Sequence, residues 1–110
     1  EESLAIMNTM LSKFADIKDQ IPEKEKAMEL YNTLIYGKYL IGTLRYYVSG
    51  MFRFYNGEYD KSVADLRMWK KYWDFYNNEI PKLPGTASLM LDGGMVDTCI
   101  EAMKFMNQSF

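Results

Sequence analysis

The sequence predicts an all-α protein, a four-helix bundle built around an antiparallel hairpin, and three observations predict it. Apolar residues recur at three- and four-residue intervals along nearly the whole chain, which is the spacing of one helix face. Helix-breaking residues fall in clusters, at Pro22, Asn56-Gly57, Pro81 to Gly85 and Asp92-Gly93-Gly94, and they cut the chain into pieces of helical length. Strand-like alternation shows only briefly, around Phe52 to Tyr55. The 110 residues suit a single domain over 1–110. An apolar share of 48% can build a core without disulfides or metals.

The first helix is expected over residues 3–21. Ser3 is a candidate N-cap, and Leu4, Met7, Leu11, Phe14, Ile17 and Ile21 form one apolar face. Pro22 ends it, because the residue before a proline is pushed out of the helical region.

The second helix starts just after Pro22, with Glu23 and Glu25 suiting the positive end of its dipole. Met28, Tyr31, Leu34, Ile35, Leu44, Tyr47, Val48, Met51 and Phe52 carry the pattern to about Tyr55. That is about 30 residues, or roughly 45 Å at 1.5 Å per residue. Gly37, Gly42 and Gly50 lie inside it, each costing about 1 kcal/mol relative to alanine. They mark either a bend near 37–42 or places where a neighbouring helix comes close. One long helix with room for a bend is the reading adopted.

Asn56-Gly57 stops that helix, since glycine takes the left-handed conformation that closes a helix at little cost. The third helix follows from Tyr59 or Asp60. Val63, Leu66, Trp69, Trp73, Tyr76 and Ile80 form one stripe, and Ala64, Met68, Tyr72 and Phe75 form a second beside it. An apolar arc this wide implies burial against more than one neighbour, or against a partner. Pro81 and Pro84 end the helix. Thr86 to Leu91 could form a short turn before Asp92-Gly93-Gly94 breaks it. The last helix is expected from about Met95 to Asn107, with Val96, Cys99, Ile100, Met103 and Met106 inward.

The net charge of −2 argues against non-specific nucleic-acid binding through phosphate neutralisation. Residues 1–30 hold four lysines against seven acids, residues 31–82 eight basic residues against five acids, and residues 83–110 one lysine against three acids. A mildly basic middle between acidic ends reads as ordinary surface patterning. No run is long and apolar enough to span a membrane, the richest stretch from Tyr39 to Tyr55 being broken by Arg45 and Arg53. The start at Glu-Glu-Ser and the end on Phe110 suggest a segment of a longer protein.

The composition removes most catalytic chemistry. There is no histidine, so Ser-His-Asp and Cys-His sites, histidine metal sites and the commonest general base are absent. The single cysteine, Cys99, allows no internal disulfide and reads as a small buried apolar residue. Glu58/Asp60 and Asp92/Asp97 sit at helix starts, where the dipole accounts for acids without invoking paired-carboxylate catalysis. The nine methionines read as core filling rather than soft-metal ligands. Asp92-Gly93-Gly94 lacks the spacing and lysine of a phosphate loop. The expectation is a non-enzyme with no metal and no cofactor.

The stretch from Tyr46 to about Trp73 resembles a tetratricopeptide repeat, on Gly50 and on Gly57-Glu58-Tyr59-Asp60 followed by Ser62. The resemblance implies an antiparallel helix pair in which Gly50 faces Ser62 and Tyr59 plugs the corner. Ser49 departs from the leucine of that family, Arg53 from its aromatic and Trp69 from a small residue. The proline expected soon after the second helix comes late, at Pro81, and no second copy stands at a 34-residue period. A peptide groove needs stacked repeats, so none is implied. The same region, with Trp69, Tyr72, Trp73 and Tyr76 followed by Ile80-Pro81 and Leu83-Pro84-Gly85-Thr86, looks loosely like helical accessory regions of bacterial glycoside hydrolases. That likeness carries no site residue, and it implies carbohydrate only through a parent enzyme.

Two functional expectations follow. The first is a non-catalytic interaction or scaffold module. It would use the aromatic face Trp69, Tyr72, Trp73 and Tyr76, or the wide apolar surface of the second helix, to meet a protein partner or the rest of a longer chain. Aromatics at helical spacing are more often core than surface, and that is the first reading of these four. The second expectation is an accessory domain of a secreted carbohydrate-active enzyme.

Overall fold

The computed structural model describes residues 2–83 and 93–110. It is all-α, with no strand among the described residues. Helix α1 spans Glu2–Ile17, α2 Lys24–Tyr55, α3 Tyr59–Asn78 and α4 Gly93–Phe105. Single 3-10 turns follow α1 at Lys18–Gln20 and α3 at Ile80–Lys82. No described helix is long and apolar enough to cross a membrane.

The long second helix is continuous over 32 residues. Its glycines mark close approaches and do not break it. A Cβ on Gly50 would stand 2.6 Å from Leu66 Cδ2, and one on Gly42 would run into the Tyr72 ring. The chain then reverses in a Schellman turn: Glu58 N donates to Arg53 O at 2.9 Å and Gly57 N to Phe54 O at 3.1 Å, with Gly57 at φ +76°. Helix α3 returns antiparallel along α2. Ser62 meets Gly50, Tyr72 meets Gly42, Phe75 stacks on Tyr39 and Tyr76 meets Tyr36.

At the Gly50 crossing the expected pairing is present. Ser62 Oγ donates to Gly50 O at 2.8 Å, and both residues are buried. Ser49 and Arg53, which depart from the repeat pattern, share one partner on α3. Ser49 Oγ donates to Asp65 Oδ2 at 2.6 Å, and the Arg53 guanidinium lies 3.3 Å from the same oxygen. Tyr59 is more open than a corner plug, lying loosely against Phe54 and Phe105.

The core sits at the turn end of the hairpin. Met51, Val63, Leu66 and Trp69 pack there against Cys99, Ala102 and Met103 of α4. A second Schellman turn ends α4, with Asn107 in the left-handed region at φ 57° and Gln108 N donating to Met103 O at 2.9 Å. The tail then crosses α3: Arg67 Nη2 donates to Gln108 Oε1 at 3.2 Å and to Ser109 O at 3.0 Å, and the Phe110 ring lies 5.8 Å from Trp69. Helix α1 packs at the other end, where Phe14 stacks 6.3 Å from Tyr31 and Met7 reaches Gly37. Leu4 is its one buried residue.

Several expected boundaries and faces differ. Ser3 lies inside the first turn of α1, not ahead of it, and the last turn of the expected first helix tightens to 3-10 before Pro22. Gly93 and Gly94 begin α4, ahead of the expected start at Met95. Ile17, Met28, Ala64 and Ile100 are exposed because the neighbouring helix covers only part of each predicted face. The turn expected at Thr86 to Leu91, and Asp92, lie outside the described residues.

Candidate interaction surface

The four aromatics singled out on α3 divide two and two. Trp69 and Tyr76 are 1% and 2% exposed. Trp69 Nε1 donates to Met95 Sδ at 3.1 Å, and its ring stacks 5.7 Å from Trp73. Tyr76 Oη donates to Tyr36 Oη at 3.4 Å. These two are core, which corrects their place in a docking face: helices α2 and α4 use up the surface they would have offered. Tyr72 and Trp73 are half-buried. Tyr72 fills the gap left by Gly42, with Tyr39 at 5.2 Å and Tyr46 at 5.5 Å on either side. Burial, then the nearby Tyr46 and Tyr39 hydroxyls, raises its phenol above the ordinary value, while Arg45 pulls the other way. These partners make Tyr72 a packing residue with one open edge.

The uncovered apolar surface lies elsewhere, on α2. Leu44, Val48, Phe52 and Tyr55 are 41%, 64%, 65% and 77% exposed. They recur at four, four and three residues, so they share one face. At 100° per residue that face lies about 155° round the helix from the Tyr39–Thr43–Gly50 line that meets α3. From Leu40 to Phe52 the helix carries one charge, Arg45, which rests over the Tyr46 ring at 4.7 Å.

Beside the stripe, α2 and α4 enclose an open groove of about 640 Å³. Met51, Phe54 and Tyr55 form one wall; Asp97, Thr98, Glu101 and Phe105 form the other. Phe105 is 67% exposed and meets Phe54 edge-on at 5.5 Å. The apolar band thus runs on from the stripe into the groove. Sequence periodicity places Leu44, Val48 and Phe52 on an apolar face, and the wide apolar surface of this helix is one of the two docking faces the sequence offers.

The chemistry here is that of contact. Asp97 and Glu101 are open to solvent, and Glu101 pairs with Lys104 at 3.7 Å. Cys99 is wholly buried, and burial pushes its thiol up to about 12, so it stays protonated and unreactive at neutral pH. Among the described residues no three Cys, Asp or Glu side chains gather as metal ligands would.

No family model matches the chain, and neither a curated protein nor a solved structure does. The fold is therefore characterised by its own geometry: an all-α chain with a long hairpin, whose second helix is packed along one side and bare at Leu44, Val48, Phe52 and Tyr55.

Proposed function

We propose that this chain is a non-catalytic helical interaction module that docks through the outer face of α2. One observation carries the reading. Leu44, Val48, Phe52 and Tyr55 form a continuous apolar stripe, and Arg45, the charge that borders it, rests over the Tyr46 ring. Apolar residues scattered singly over a surface need no explanation, but a contiguous band that opens into a groove is the mark of a binding face. The tetratricopeptide-like reading of the hairpin is supported by the Ser62–Gly50 hydrogen bond at its crossing. In this reading the hairpin is a stiff support and α2 presents the contact.

The test is photo-cross-linking in the cells that make the protein, with a benzophenone amino acid at position 52 or, as a control, at the exposed polar position 71. Docking through α2 gives a discrete cross-linked protein product from position 52 and none from 71. Equal or absent products at the two positions overturn the reading.

A further inference from the structure

We infer that the occupant of the α2 stripe is a second copy of this chain, paired antiparallel across a two-fold axis between Val48 and Phe52; this rests on the docking role proposed above and names its partner. The stripe continues a longer pattern. Ala27, Leu30, Leu34, Gly37, Ile41, Leu44, Val48, Met51 and Tyr55 recur at alternating three and four residues, which is the seam of paired helices. Within the chain, Ala27 and Met51 of this seam are buried and Gly37 meets Met7 of α1, whereas Leu30, Leu44, Val48 and Tyr55 are exposed, with Phe52 bare beside them.

The order of sizes along the stripe favours a copy of itself. Its first half carries Leu44 and Val48, its second half Phe52 and Tyr55. Antiparallel pairing sets Val48 against the partner's Phe52 and Leu44 against the partner's Tyr55, so small meets large at each level. A two-fold contact of this kind is self-complementary by construction.

The area agrees with the requirement. With an aromatic side chain offering about 150–250 Å², the exposed parts of Leu44, Val48, Phe52, Tyr55 and Phe105 come to roughly 600 Å². A standard interface takes about 800 Å² from each partner, and its polar rim supplies the rest.

The experiment is light scattering on a sizing column, with the purified chain loaded from about 1 to 300 µM. A particle of twice 12.9 kDa is expected. Val48→Glu and Phe52→Lys, each at a position about two-thirds exposed, should keep their helical circular dichroism and associate at least tenfold more weakly. Mixed one to one, the two variants should dimerise again. The mixed pair sets one glutamate against one lysine and restores one Val48–Phe52 contact. A wild-type chain that stays monomeric throughout, a dimer unmoved by either variant, or a mixture that fails to recover overturns the inference. If the cross-link from position 52 joins a different protein, the docking role stands and the self-pairing falls. If position 52 yields no product, both fall.

Discussion

Gly50 is where a single atom decides how close the two main helices lie. Alanine normally stabilises a helix by about 1 kcal/mol over glycine. Here the added Cβ meets Leu66, which is fully buried and cannot retreat. Gly50→Ala is therefore expected to lower stability by about 1–2 kcal/mol, because overpacking outweighs propensity. Gly37→Ala should be neutral or stabilising, since its neighbour is the mobile end of Met7. Urea unfolding of both variants measures the contrast. Cys99 gives a second prediction at this scale. Its thiol titrates near 12 when folded, against 9.0 ordinarily. Below pH 9 both states hold the proton and nothing changes. Between pH 9 and 12 the unfolded chain releases it first, so stability falls by up to about 1.4 kcal/mol per pH unit. Relative to Cys99→Ala, the wild type should thus lose roughly 1 kcal/mol more between pH 8 and 10 in the same assay.

The helices divide their residues between packing and display, and α3 shows the division most sharply. Trp69→Ala should cost about 3–5 kcal/mol, as for other buried aromatics. Trp73→Ala, half-buried four residues on, should cost clearly less, and comparing the two melting curves checks the order. The turn joining α2 to α3 depends on a conformation only glycine adopts cheaply. Gly57→Ala should cost about 1 kcal/mol, although open space surrounds it, because the strain lies in the positive φ. In α2 the sequence pattern located the apolar face and the three glycines. It left open whether the glycines meant a bend or close packing. Periodicity reports which residues share a side, and only the neighbouring helix reveals which side it covers.

Across the whole molecule, the two ends of the hairpin are held unequally. The turn end has α4, the tail on Arg67 and a shared core. The open end has α1, which buries Leu4 and otherwise lies against α2 through half-buried or exposed residues. Local opening costs least where little apolar surface is buried. Amide exchange should therefore be faster along Glu2–Ile17 than along Tyr59–Asn78, and mass spectrometry of exchanged peptides reads this directly. Uniform protection across both would mean that α1 is held by more than the contacts described. The molecule measures 53 × 25 × 16 Å. Its length follows from α2, at about 48 Å for 32 residues.

The residue order by itself determined the all-α class and the stops at Pro22 and Asn56-Gly57. These are local properties: a proline lacks a donor, a glycine tolerates positive φ, and helical spacing sorts side chains onto faces. Tertiary structure alone decided that Trp69 and Tyr76 are core while Val48 and Phe52 are bare. Both pairs are apolar and helically spaced, so nothing local separates them. What separates them is which neighbours arrive: α2 and α4 close over the inner side of α3, and no described element covers Val48 and Phe52 on the outer side of α2.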